Sequence, residues 1–413
     1  MSIANFFNAN TFPLLTMTWQ QGVMIAIALG LMTLAIVKKF EPLLLMPLAF
    51  GILIANIPGA GLSAYNWYDQ YGVLHSEKLL EARLADGTIE VGRLGLMNFL
   101  YHGILWVIFP PLVFLCIGTM TDFGPLISSP KSAVIGIGGQ IGIFCAFGLS
   151  ILVFQIFGTW TNLIPQFANY GPNEAAVIGI IGGADGPTAV FTATQLAPEL
   201  LSAVAIAAFS YMALVPFIQP PLMKLLTTKK ERMIEMPPPK TASKRVKIIF
   251  PIAVTLVVLM LVPAAGALIG MLMLGNLIKE SGVAERYVKT LSSHLLNLLT
   301  LLVGLSIGTS ATAEYFLTPV TLVILVCGLL AFAFGTAGGI LFAKILCLVT
   351  RGKVNPLIGN SGVSAMPMAA RISQREGQKY NPQNHLLMHA MGPLVAGIIG
   401  SAVVAGLFIQ FLG

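Results

Sequence analysis

Long apolar runs separated by short polar punctuation recur along the chain from Trp19 to the C-terminus. About 20 apolar residues in helical geometry cross a hydrocarbon core of roughly 30 Å. The pattern therefore predicts ten membrane segments, near residues 19–37, 42–58, 103–121, 132–157, 199–226, 247–262, 264–279, 293–317, 320–349 and 385–412. Two further stretches, 173–192 and 354–371, are as apolar but are interrupted by Gly, Pro and Asn, which predicts broken or re-entrant segments. Backbone outside a helix is tolerated at membrane depth only where protein buries it or it lines a cavity. The two breaks are thus the first places to look for a site.

The breaks also repeat one another. VIGIIGGADGPTA in the first and LIGNSGVSAMPMA in the second match at Ile178, Gly179, Gly182, Pro187 and Ala189 against Ile358, Gly359, Gly362, Pro367 and Ala369. Upstream, Ile117-Gly118-Thr119 matches Ile307-Gly308-Thr309, and Ala55-Asn56 resembles Gly275-Asn276. Internal identity in this order predicts two repeats. The expected organisation is a first membrane repeat at 1–226, with an N-terminal helix and an outward loop 59–102, a basic linker at 227–246, and a second repeat at 247–413.

Charge sets the orientation. The basic tract 224–247 carries Lys224, Lys229, Lys230, Arg232, Lys240, Lys244, Arg245 and Lys247 around Pro237-Pro238-Pro239, and basic loops stay on the cytoplasmic side. If each broken segment enters and leaves on one face, every repeat has about five crossings. All of the 23 basic residues except Lys78, Arg83 and Arg93 then lie inside. An odd number of crossings inverts the second copy, so the two breaks enter from opposite faces and meet near the midplane. The expected fold is an all-α, polytopic membrane protein of the inner-membrane type, built from two inverted repeats.

Composition agrees and removes other classes. Of 413 residues 56% are hydrophobic and 9% charged, against about 25% charged in soluble domains. The net charge of +7 sits mainly in loops beside membrane segments, so nucleic acid is not implied. No basic residue precedes the run Val23–Val37 and no small-residue cleavage site follows it, which marks a retained helix rather than a signal peptide. Cys116, Cys145, Cys327 and Cys347 lie inside apolar runs without paired spacing and are expected to be buried free thiols.

Asp185 falls in the first break, within Gly182-Gly183-Ala184-Asp185-Gly186-Pro187. A charge at the bilayer centre costs ~2.5–3.5 kcal/mol on insertion scales unless it is partnered. A carboxylate beside free carbonyls suits a desolvated sodium ion, which prefers oxygen ligands; the plainer reading is a cap on the half-helix that starts at Gly186. The second break offers Asn355, Asn360, Ser361, Ser364 and the cation Arg371. Its serines also fit close helix packing. Arg371 is either a snorkelling residue at a helix end or a bidentate partner for a carboxylate. Tyr211, in mid-segment, either gives its hydroxyl to the same cavity or belongs to an interfacial belt. Asp122, Glu174, Glu199 and Glu314 lie at or near segment ends and rank below Asp185.

Other chemistry finds little support. His385 and His389 share a helix face, but HLLMH lacks the Glu of a zinc-hydrolase motif and no third ligand is evident. Gly138 with Gly142, and Gly335 with Gly339, have helix-packing spacing. There is no G-x-x-x-x-G-K-[ST] loop and no Ser-His-Asp set, so energy must come from an ion gradient or a partner.

Three motifs carry a resemblance that runs from about residue 20 to the end. GGADGPTA at 182–189, NPLIGNSGVSAMPMAAR at 355–371 and HLLMHAMGP at 385–393 resemble the beta subunit of the sodium-pumping biotin-dependent decarboxylases, the oxaloacetate, methylmalonyl-CoA and glutaconyl-CoA enzymes. The resemblance implies that an alpha subunit carries the carboxyltransferase chemistry and a biotin carrier protein or domain brings carboxybiotin to the membrane. This subunit then decarboxylates it while exporting Na+ and consuming a proton. A small gamma-type membrane subunit and homo-oligomerisation within the complex are implied too. The family's functional positions fall on Asp185, Asn355, Gly359, Ser364, Arg371 and Tyr211. One departure is Leu394, after HAMGP, where the family commonly has Asn.

The combined expectation is that carboxybiotin is held near Arg371, that Asp185, Asn355, Gly359 and Ser364 bind Na+, and that Tyr211 lies on the ion or proton path. Arg371, Tyr211 and Asp185 are the candidate catalytic residues. A rival from another class, a Na+-coupled secondary transporter of a small carboxylate, would use the same inverted breaks; the family motifs, not the residue pattern, separate the two.

Overall fold

A computed structural model of the chain describes residues 16–39, 41–69, 74–75, 91–238, 242–365 and 368–413. Pro367 of the second motif, Pro239 and Lys240 of the linker, and Glu77, Lys78, Glu81, Arg83, Asp86 and Glu90 of the outward loop lie outside these residues.

Every expected membrane segment contains helix. In chain order the helices are α1 (Trp19–Val37), α2 (Pro42–Ala55), α3 (Leu96–Leu105), α4 (Phe109–Met120), α5 (Ser132–Phe154), α6 (Pro172–Gly179) and α7 (Gly186–Leu196). They continue as α8 (Leu201–Leu226), α9 (Lys244–Leu261), α10 (Gly266–Ser281), α11 (Leu296–Ser310), α12 (Pro319–Val349), α13 (Met368–Gln378) and α14 (Leu387–Leu412). Local chemistry sets the ends. Thr18 begins α1 with a capping box: its hydroxyl accepts from the Gln21 N–H at 3.3 Å, and the Gln21 side chain accepts from the Thr18 N–H at 2.9 Å.

Among the described residues, Trp19–Val37, Ser132–Trp160, Glu285–Ser310, Pro319–Val349 and Leu387–Leu412 are long and apolar enough to cross a membrane. The count rises from 5 to 7 if α3 with α4, and the two parts of the α8 region, are each counted as one span. The chain is a multi-pass membrane protein. The other expected crossings form α2, α9 and α10, of 14, 18 and 16 residues. Lys244, Arg245 and Lys247 occupy the first turn of α9 and leave it short of a full apolar span.

Two compact units result: Met1–Phe109 with Asn297–Leu322, and Pro110–Leu296 with Val323–Gly413. Each draws on both halves of the chain, so the packing units cut across the repeats expected at 1–226 and 247–413.

In the first unit α2 crosses α11 backbone to backbone. A Cβ on Gly51 would lie 2.6 Å from the Leu305 carbonyl oxygen and 2.9 Å from Gly308 Cα, so only glycine permits the approach. The Asn56 amide follows, donating to the carbonyls of Ile52 and Ala311, both at 2.8 Å. A small antiparallel sheet of order β2-β1-β3 also belongs here, with β1 (Trp67–Asp69) between β2 (Leu74–His75) and β3 (Val91–Leu94). This small sheet lies in the polar loop between α2 and α3 and leaves the expected all-α fold class intact. These residues lie outside the apolar runs, and short β-prone stretches there satisfy their backbone by pairing with one another.

In the second unit α10 crosses α4 in the same manner, a Cβ on Gly275 falling 3.1 Å from Gly118 Cα. The Asn276 amide then donates to the carbonyls of Gly118 (3.4 Å) and Thr121 (3.1 Å). α5 and α14 pack together around the two breaks. The cysteines are free, Cys116, Cys327 and Cys347 buried and Cys145 exposed on α5 rather than buried as expected.

Candidate functional site

The first break begins where α6 tightens into a 3-10 turn at Ile180–Gly183. Ala184, at φ 54°, reverses the chain in the left-handed region, a conformation that costs an L-residue ~1–3 kcal/mol and is retained at functional sites. Asp185 then takes extended geometry in the N-cap position of α7, with Pro187 in its first turn. The second break is a 3-10 stretch, Pro356–Gly362, followed by extended Val363. The breaks join directly: the Ser364 N–H donates to the Gly183 carbonyl at 2.8 Å. Neighbouring helices present glycines to this backbone. A Cβ on Gly335 would stand 2.8 Å from the Gly182 oxygen and 3.1 Å from the Gly139 oxygen, and a Cβ on Gly397 would stand 2.5 Å from the Gly362 oxygen.

Asp185 is 6% exposed. Its Oδ2 accepts from the Thr188 hydroxyl at 2.6 Å and from the Ser401 hydroxyl at 3.2 Å, and Ser401 Oγ lies 3.2 Å from Ser364 Oγ. Among the described residues no Lys, Arg or His pairs with this carboxylate. A buried anion surrounded by hydroxyls and carbonyls, with no cation of its own, is matched to a small hard cation or to a proton.

Beside it a second polar group stabilises the non-helical backbone. The Asn360 amide donates to Gln219 Oε1 (2.9 Å) and to the Ala369 carbonyl (3.0 Å), while the Gln219 amide donates back to the Asn360 carbonyl at 3.1 Å. The Ser373 hydroxyl donates to Asn360 Oδ1 and lies 3.2 Å from Ser361 Oγ. All four side chains are buried.

Of the residues singled out from the sequence, Asp185 and Ser364 come together through Ser401. Asn355 stands elsewhere: its amide donates to the linker carbonyls of Arg232 (3.0 Å) and Ile234 (2.8 Å), and its Oδ1 accepts from the Leu357 N–H at 3.0 Å. Gly359 lies against α12, where its Cβ would fall 2.6 Å from Ile340 Cα. Tyr211 donates its hydroxyl to the Leu325 carbonyl. A Cβ on Gly328 would lie 2.8 Å from the Tyr211 ring and 3.1 Å from Ile181 Cγ2, so tyrosine and first break share this glycine. Arg371 projects exposed from the first turn of α13 and makes no hydrogen bond or ion pair among the described residues. Leu394 is fully buried in α14, on the face that also carries Gly397 and Ser401.

Ser401, Thr188 and Gln219 were not singled out from the sequence. A lone serine between small residues reads as packing, and Thr188 reads as part of a helix start. Gln219 did leave a trace, an amide inside the apolar run of α8.

The model of the family described as "Na+-transporting oxaloacetate decarboxylase beta subunit" matches residues 20–412. The chain belongs to this family. It is 48% identical over 414 residues to the methylmalonyl-CoA decarboxylase subunit beta of Propionigenium modestum, covering 100% of this chain and 99% of that protein. It is 45% identical over 420 residues to the oxaloacetate decarboxylase beta chain 2 of Salmonella typhi, covering 95% of each. With the glutaconyl-CoA decarboxylase subunit beta of Acidaminococcus fermentans it shares 46% over 397 residues, 96% of this chain and 94% of that one. As a member of the family it is a membrane subunit of a sodium-pumping decarboxylase, and the reading as an independent carboxylate transporter gives way.

Proposed function

We propose that the chain decarboxylates carboxybiotin presented by a partner subunit and couples the loss of CO2 to export of Na+ across the bacterial inner membrane. The observation that carries this reading is Asp185, a buried carboxylate without a basic partner, at the point where the two breaks join.

Asp185 supplies the charge that neutralises the ion, and the hydroxyls of Ser364 and Ser401 turn their oxygens toward it. Asn355 and Gly359 act on the site through the backbone of the second break, which they anchor. Tyr211 lies on the ion or proton path beside Ile181.

Arg371 fits the other substrate. Its exposed guanidinium has no competing partner among the described residues, and its fork matches a carboxylate. Carboxybiotin, when bound, supplies the carboxyl group that leaves as CO2 while the biotin nitrogen takes up a proton. Holding that carboxylate and orienting the scissile bond is the task of Arg371. The partners are an alpha carboxyltransferase subunit, a biotin carrier protein or domain and a small gamma-type subunit, with several copies of this chain in the complex.

The two repeats lie inverted in the membrane, with the linker 227–246 cytoplasmic and 59–102 outside. The matched pair of glycine crossings, each followed by an asparagine that holds the end of the opposing helix, supports this arrangement.

Asp185→Asn tests the reading. The complex should assemble normally, because removing an intramembrane charge eases insertion, yet sodium-stimulated decarboxylation should fall at least a hundredfold. Normal sodium stimulation in that variant would remove Asp185 from the site.

A further inference from the structure

The two repeats treat one corner of the fold in opposite ways. In the second unit, beyond Ile117-Gly118-Thr119 and beside Asn276, Lys247 in the first turn of α9 reaches Asp122 at 3.0 Å and Glu280 at 3.9 Å. Lys279, three residues after Asn276, donates to the Thr121 carbonyl at 3.0 Å. Two ammonium groups thus occupy that corner.

In the first unit the matching Ile307-Gly308-Thr309 is followed by the same asparagine contact, made by Asn56. Here the first turn of the preceding helix, α1, holds Gln20 and Gln21 and no basic residue, whereas the first turn of α9 holds Lys247, and Gly59 stands three residues after Asn56 where Lys279 stands after Asn276. What remains is a cavity of about 450 Å³ with no basic residue in its lining among the described residues and Glu314 exposed at its edge. Two oxygens in that lining have no partner among the described residues: Asn66 Oδ1, on a residue only 3% exposed, and Thr312 Oγ1. A buried carbonyl oxygen left without a donor is costly, and a cation meets its need as well as an N–H does. One carboxylate with neutral oxygens around it balances a single positive charge, and oxygen is the ligand hard cations prefer.

We propose that this cavity binds a hydrated sodium ion, with Glu314 supplying the charge and Asn66 Oδ1 and Thr312 Oγ1 supplying neutral oxygens, in the place that Lys247 and Lys279 fill in the other repeat. The identity of the ion and its outward side rest on the topology and cargo proposed above.

Equilibrium binding of radioactive sodium to the purified complex carrying Asp185→Asn isolates the cavity from the first site. That complex should retain saturable sodium binding. Adding Glu314→Gln should weaken the retained binding at least tenfold. Adding Gln20→Lys, which gives the first turn of α1 a positive charge as the first turn of α9 has, should abolish it although Gln20 is exposed and outside the α1 capping box. Retained binding indifferent to both changes overturns the proposal, as does the absence of any saturable binding in the Asp185→Asn complex. Asp185 is judged separately, by whether Asp185→Asn alone lowers the number of ions bound by the wild-type complex.

Discussion

The Ser364 N–H donates to the Gly183 carbonyl at 2.8 Å, and this one hydrogen bond ties the two breaks into a continuous piece of backbone. Each break alone leaves peptide groups unpaired at membrane depth. Together they close one gap and bring the hydroxyl of Ser364, through Ser401, to the Asp185 carboxylate.

That junction depends on glycines outside the proposed ion site. A Cβ on Gly139 would overlap the Gly362 carbonyl oxygen, and overpacking of this kind costs ~1–3 kcal/mol. Gly139→Ala should therefore lower the thermal stability of the complex and also reduce its apparent sodium affinity, because the second break must shift. Gly148→Ala, on the same helix with open space around it, is the control and should change neither. Both quantities are read from melting curves taken across a sodium titration.

At Arg371, charge and geometry can be separated. Arg371→Lys keeps the cation but loses the paired donors, which are not interchangeable at a bidentate site. Decarboxylation of carboxybiotin by the reconstituted complex should drop about tenfold or more, equivalent to ~1.4 kcal/mol, while sodium binding stays within twofold of wild type. A near wild-type rate would leave Arg371 as a snorkelling residue.

The Asp122–Lys247 pair predicts a pH dependence. Burial alone would raise the Asp122 carboxyl; the Gly124 N–H at 2.9 Å and the Lys247 ammonium outweigh it and hold the group below the ordinary carboxylate range. An acid depressed in the folded state adds stability above its unfolded value, near 3.8, and that stability disappears as pH falls through the lower folded value. Asp122→Asn should thus melt earlier than wild type at neutral pH, modestly because the pair is partly exposed, and the gap should close in strong acid. A gap that persists there would trace the effect to packing rather than charge.

Much of this arrangement was legible in the sequence. Apolar runs of spanning length located the helices, and the Gly-Pro punctuation located both breaks, because in a membrane there are few other uses for such residues. Asp185 stood out by its cost. The rest was hidden for physical reasons. Ser401 is indistinguishable from a packing serine until α14 is laid against α7. Asn355 carries its polar amide in the motif, yet its hydrogen bonds run to Arg232 and Ile234 in the linker, a long-range partnership that no local pattern encodes. The short sheet at β1–β3 lay in the polar loop, where neither the helical nor the strand period is sustained.

Gln219 has a consequence for how the ion is held. Its amide grips both the side chain and the carbonyl of Asn360, so it works as a splint across the irregular stretch from Pro356 to Gly362. With its polar groups satisfied by the protein itself, that stretch keeps its shape whether or not a cation is present. An arriving ion then meets a receptacle already formed. At the site proposed here it would bring neutrality to Asp185 rather than order to the chain, and it could leave again without the fold having to be rebuilt around its absence.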